Sequence, residues 1–248
     1  VDQIASAIRN GNNGSGVLCV LGNYGGDVMN FEMACEIVKS EGIETKTIIV
    51  SDDIASASNE DKLKRRGIAG LIFAFKIAGA SSENGATLEE VYDLTLKANN
   101  NLRTIGVAVS SCILPEVGKP TFELENDEIE IGMGIHGEPG IKREKLRKAD
   151  LLVDDLCKII FGDFELSNRD KVSIIINSLG ATPLEELYIV SKRVNEIFVK
   201  KDVEIVKSYV GRYATSLEMA GMSISVLKLD DDLKNALLDH SECPFWIN

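Results

Sequence analysis

Apolar residues fall into short unbroken runs alternating with longer stretches of helical spacing, which predicts strand–helix units rather than a β-sandwich. Residues 17–21 form one such run, followed by a glycine-containing loop, Gly22-Asn23-Tyr24-Gly25-Gly26-Asp27. A helical pattern then extends from about residue 28 to 41 and ends at Gly42, and the β-branched residues 45–50 read as the next strand. Residues 66–80 predict a buried helix, 88–101 an amphipathic one, and 105–110 another strand.

Between residues 121 and 131, TFELENDEIEI alternates apolar and polar positions around Asn126-Asp127, which predicts an antiparallel hairpin turning at that pair. The next segment, GMGIHGEPG, reads as a rigid loop. A second unit begins after Arg143 with a helix to about residue 160 and a strand over 172–177. Thr182, Pro183 and Glu185 predict the next helix start, with a threonine cap, a proline at the first helical position and a capping-box glutamate. Strands near 203–210 and 223–229 and a short terminal helix complete the pattern. The expected fold is α/β: two α/β domains with mainly parallel sheets plus an antiparallel hairpin, divided into 1–165 and 166–248, with no repeat or linker.

Composition narrows the possibilities. Across 248 residues, 44% hydrophobic content supports a real core, and a net charge of −12 disfavours direct, charge-driven nucleic-acid binding. No apolar stretch approaches the roughly 20 residues that span a bilayer. The chain starts at Val1 without a basic-then-apolar leader, which predicts a cytoplasmic protein and a sequence that is a fragment of something longer. Cys19, Cys35, Cys112, Cys157 and Cys243 are odd in number and lack CxxC spacing, so reduced thiols are expected rather than disulfides or a metal site.

His136 stands among Gly132, Gly134, Gly137, Pro139 and Gly140, where the backbone can approach a ligand closely. A lone histidine is more often structural, and the glycine density tilts the balance toward function. Residues 132–137 also match G-x-G-x-x-G, but they follow a hairpin and meet Pro139 instead of opening a helix, so nucleotide binding there is rejected. Asp27, at a strand's C-terminal end, reads equally as a helix cap and as a ligand contact. The Gly180-Ala181-Thr182 turn reads as an anion cradle or a simple cap, and His240 has no motif support.

Six collinear motifs carry a family resemblance. They are NYGGDVMNFEMA (23–34), RRGIAG with KIAGA (65–80), GKPTFEL (118–124), GMGIHGEPG (132–140), SLGATPLEELY (178–188) and TSLEMAGMSISVLKLDDDL (215–233). Together they resemble the dihydroxyacetone-binding K subunit of dihydroxyacetone kinase. The resemblance implies a homodimeric two-domain α/β protein whose ligand is dihydroxyacetone. It further implies that His136 adds to the ketone carbonyl as a covalent hemiaminal, that Asp27 binds the ligand hydroxyls and serves as acid/base, and that Gly25, Gly26 and Gly134 line the ligand.

The chemistry is consistent, because a neutral imidazole is a competent nucleophile and a carboxylate can accept a hydroxyl proton. Glycerol, lacking a carbonyl, would be excluded.

Three departures stand out. The family's GGGSGHEP segment falls upstream of Val1, Gly22 replaces the lysine that precedes NYxGD in active kinases, and the residues flanking Arg65-Arg66 and Lys119-Pro120 differ. The leading expectation is therefore a dihydroxyacetone-sensing coactivator of a TetR-type transcription factor. The alternative is the substrate-binding subunit of a phosphoenolpyruvate-dependent kinase, working with a nucleotide-bearing L subunit. A metabolic α/β domain with an unrelated ligand is the third reading. No P-loop or kinase glycine-rich loop is present, so no cofactor is expected on this chain.

Overall fold

The computed structural model describes residues 1–244, 246 and 247. Among these, α1 (Asp2–Gly11) packs on α2 (Gly25–Ser40), and β1 (Val17–Gly22) pairs in parallel with β2 (Thr45–Val50). Helices α3 (Leu71–Glu83) and α4 (Leu88–Asn100) lead to β3 (Leu102–Ala108). The chain continues through β4 (Glu128–Ile131), β5 (Lys142–Lys145), α5 (Ala149–Asp163), β6 (Lys171–Ser178), α6 (Leu184–Lys200), β7 (Glu204–Gly211), β8 (Gly221–Leu229) and α7 (Asp231–Leu238).

One six-stranded sheet, ordered β5-β4-β3-β8-β6-β7, organises most of the molecule. The fold is α/β with a mixed sheet. Parallel pairing occurs at β1·β2 and β6·β7, whereas the remaining neighbours in the large sheet run antiparallel, a different balance from the mainly parallel sheets expected. Period-two alternation on β6 explains its burial on both faces. Ile174 and Ile176 pack with Leu156, Ile160, Val194 and Phe198 of α5 and α6, while Ile175 joins Phe73, Ile77 and Leu237 on the other face. β3 pairs with β8 from Leu102↔Leu227 to Ala108↔Gly221, so the chain before residue 165 and the chain after it meet in one sheet.

Several local expectations change. The hairpin expected over 121–131 does not form: residues 128–131 are a strand, β4, but they pair with β5 across the glycine-rich loop 132–141 rather than turning at Asn126-Asp127. Glu130 explains the register. This buried side chain accepts from the Gly140 backbone N–H at 2.6 Å and pairs with Arg143 of β5 at 2.9 Å. β5 takes residues expected to open a helix, which delays α5 to Ala149.

The capping box expected at Thr182 does not form. Pro183 occupies the cap position of α6, and the Thr182 hydroxyl accepts from the Gly221 N–H at 2.8 Å. The Gly180 and Ala181 N–H groups likewise bond within the protein, to Ser178 and Met219, leaving no anion cradle. A reciprocal box forms instead at Thr87 and Glu90 of α4. Asp27 is not a cap, because α2 starts two residues earlier, at Gly25, with Tyr24 in the cap position.

Candidate functional site

The two sequence-predicted residues arrive from different elements. The β4–β5 hairpin carries His136 on its loop, and the first turn of α2 carries Asp27. His136 is largely exposed, its side chain at 62%. Asp27 is exposed as well, and its negative charge is among the influences that raise the pKa of His136. The side chains therefore share one electrostatic neighbourhood, although no hydrogen bond joins them among the described residues.

Glu138 holds the histidine. One carboxylate oxygen accepts from the His136 backbone N–H at 3.0 Å and the other lies 3.2 Å from ring Nδ1. Burial works to raise the Glu138 pKa, but the bonds from the His136 ring, its own backbone and the His136 backbone prevail and bring it down to about 2. An ionised carboxylate only accepts, so Nδ1 carries the proton in the neutral ring and Nε2 keeps its lone pair. The hydrogen bond to Glu138 is also the main cause that raises the His136 pKa.

Arg66 supports this arrangement from beneath. Its Nε donates to Asp53 Oδ2 at 2.8 Å, Nη2 donates to the Gly132 carbonyl at 3.0 Å, and Nη1 lies 3.9 Å from Glu138 Oε2. Burial raises the Asp53 carboxyl to about 6 against the opposing pull of Arg66. Gly134 is buried, and a Cβ there would strike the Glu138 carboxylate and sit 2.6 Å from Arg66 Nη1, so its bare backbone makes room for both. Gly25 and Gly26, at the start of α2, face open space.

Tyr24 closes one side. Its ring meets the His136 ring edge-on, with centroids 4.6 Å apart and planes at 83°. The hydroxyl is buried without a hydrogen-bond partner, and burial pushes its pKa up. Asn23 ties the loop down, donating from Nδ2 to the carbonyls of Leu63 at 2.9 Å and Arg65 at 2.8 Å. At Gly67 an added Cβ would lie 2.6 Å from both the Gly22 Cα and the Val50 carbonyl, so backbone packs directly on backbone. A Cβ on Gly22 would in turn meet the Gly67 carbonyl and the Tyr24 ring at 3.2–3.3 Å.

Sequence reasoning singles out His136, the segment from Asn23 to Asp27 and the glycines, without a role for Tyr24, and misses Glu138, Arg66 and Asp53. Glu138, two residues after the histidine in a tight glycine turn, is the one that carries a local signal.

The Dak1 domain model matches residues 1–245. The chain belongs to the Dak1 family. Among Dak1 relatives, it is 46% identical over 231 residues to the dihydroxyacetone-binding subunit DhaK of PTS-dependent dihydroxyacetone kinase 1 from Listeria innocua, covering 93% of this chain and 70% of that one. Among solved structures, it superposes on a dihydroxyacetone kinase operon co-activator, Dha-DhaQ, with a TM-score of 0.89 at 29% identity, covering 96% of this chain and 74% of the other. The native dihydroxyacetone kinase of C. freundii gives a TM-score of 0.88 at 30% identity, covering 99% of this chain and 44% of the kinase. No helix among the described residues is long and apolar enough to cross a membrane.

Proposed function

We propose that this Dak1 chain captures dihydroxyacetone as a covalent hemiaminal at His136. The observation that carries the reading is the grip of Glu138 on Nδ1, which leaves Nε2 as the nucleophile on an exposed, glycine-framed loop. In the step itself, the Nε2 lone pair forms a bond to the ketone carbon as the C=O π bond breaks. The oxygen takes a proton from water, and the Nδ1 proton passes by way of the Glu138 carboxylate to the hydroxide left behind, giving a neutral adduct and regenerating water. Asp27, at the mouth of the same neighbourhood, binds the ligand hydroxyls, while Gly25, Gly26 and Gly134 provide the close backbone approach. The protein acts as a cytoplasmic homodimer.

The consequence of capture depends on the partner. The leading reading is a dihydroxyacetone sensor that docks on a TetR-type transcription factor of the dha operon. It is favoured by position 22, where Gly22 supplies no cation and packs against Gly67 and Tyr24. The second reading is the substrate-binding subunit of a phosphoenolpyruvate-dependent dihydroxyacetone kinase, in which Asp27 accepts the hydroxyl proton as a nucleotide-bearing L subunit delivers phosphate. The higher identity to the Listeria kinase subunit favours it.

Carbon NMR of the protein with carbonyl-labelled dihydroxyacetone tests capture. A protein-bound tetrahedral carbon is expected in the wild type and not in His136→Ala, and its persistence in that variant would remove the assignment. Adding purified L subunit separates the two readings, because turnover at ordinary enzymatic rates would exclude a sensor-only role.

A further inference from the structure

A cavity of about 180 Å³ lies between β2, α4, the start of β3 and the segment 62–65. Its charge is opposite to that of the molecule. In a chain of net charge −12, the lining includes Lys62, Arg65 and Arg103 and contains no carboxylate. Ser51, Asn99 and Asn100 add hydrogen-bonding groups, while Tyr92, Leu96 and Leu63 supply an apolar wall.

The guanidinium charges are incompletely neutralised. Arg65, only 1% exposed, is held by both oxygens of Asp163 and contributes positive charge rather than a free donor, and Arg103 Nε donates to the same carboxylate at 2.5 Å. Two guanidinium groups thus meet one carboxylate in a setting where unbalanced charge is costly. Arg65 also donates from Nε to the Ala57 carbonyl, and Arg103 from Nη1 to the carbonyls of Asn100 and Leu102. These bonds fix the groups in place, the Arg103 guanidinium lies 4.8 Å from the centre of the Phe164 ring, and no hydrogen-bond acceptor engages its Nη2 among the described residues. Lys62 is exposed and forms no ion pair among them. Arginine forks and a lysine point charge are the usual partners of phosphate oxygens. The volume is well below the roughly 300–1,000 Å³ of pockets that hold drug-sized ligands, which suits a phosphate group with a short tail and excludes a nucleotide.

We propose that this cavity is a phosphate-binding site, taking inorganic phosphate or the head group of a small phosphate monoester. It is separate from His136 and does not depend on ketone capture. One wall is nevertheless shared structure: the carbonyls of Leu63 and Arg65 accept from Asn23, and the next residue, Arg66, supports Glu138.

Calorimetric titration of the whole chain with inorganic phosphate, at constant ionic strength, tests the site. One phosphate per chain is expected, with binding weakened at least tenfold in Lys62→Glu and in Arg103→Gln and unchanged in His136→Ala. Backbone amide signals of Ser51, Asn100 and Arg103 should move on addition of phosphate. A parallel titration with a three-carbon phosphate monoester identifies the source: tighter binding than inorganic phosphate points to an ester, and equal binding to the free ion. Absence of both heat and amide shifts, or equal affinity in the wild type and Lys62→Glu, would overturn the proposal. If Arg103→Gln fails to fold, the exposed Lys62→Glu variant and the amide map still decide it.

Discussion

The space that a Cβ of residue 134 would fill is taken by the carboxylate of Glu138, the group that holds both the backbone and the ring of His136. Gly134→Ala is therefore expected to push Glu138 and Arg66 away from their positions. Overpacking of this kind costs roughly 1–3 kcal/mol. Urea unfolding should show that loss, and carbon NMR should show a matching fall in ketone adduct. Normal adduct formation in a destabilised variant would separate Gly134 from the site.

Under the proposed capture, the same pair sets its pH dependence. Only neutral imidazole attacks a carbonyl, and the folded pKa of His136 lies above its ordinary 6.5, chiefly through the hydrogen bond to Glu138. Adduct formation should accordingly rise with pH through a midpoint above that value. Glu138→Gln should move the midpoint down, because a neutral amide no longer favours the charged ring, and should lower the high-pH plateau rate, because the carboxylate that fixes the proton on Nδ1 is gone. An unchanged midpoint in a pH-jump series would show that Glu138 does not govern His136. Glu138 itself, depressed to about 2, contributes stability that is present above its ordinary 4.5 and is lost as pH falls toward 2.

Asp27→Asn separates binding from transfer. The side chain is exposed in the first turn of α2, where removing a negative charge costs about 0.3–1 kcal/mol of helix stability. The variant should fold and retain the ketone adduct. Any phosphoryl transfer supported by an added L subunit should fall at least tenfold, measured as phosphorylated product. Full transfer activity would remove the acid/base role.

Asp163→Asn should be among the most damaging single changes. It leaves Arg65 buried and Arg103 largely buried without their shared carboxylate, and breaking a buried pair in this way costs about 3–5 kcal/mol. Denaturant titration measures the loss. Burial works to raise the Asp163 pKa, but the bonds to Arg65 and Arg103 prevail and lower it. In the wild type this contribution is therefore present above the ordinary value of 3.8 and fades as pH falls through the folded value.

The helices, the central strands and the histidine loop were legible because each has a local signature: periodicity, β-branched runs or glycine density. What escaped depended on partners distant in sequence. Alternation correctly marked residues 128–131 as a strand, but residues 121–124 share the pattern without forming one. The true partner, Lys142–Lys145, is a charged edge strand with no apolar rhythm to announce it. Thr182 has ideal capping chemistry, yet its hydroxyl is claimed by the Gly221 N–H from β8. Arg66 belongs to a helical-looking run, and only the folded chain brings it to Asp53 and Gly132.

Because β8 inserts between β3 and β6, the middle of the large sheet is completed by a strand made after both of its neighbours. A growing chain on the ribosome would present β3 and β6 with open hydrogen-bonding edges until residue 229 emerges. Met133 of the histidine loop packs with Leu179 and Met219, so that loop gains part of its apolar support only from segments synthesised after it.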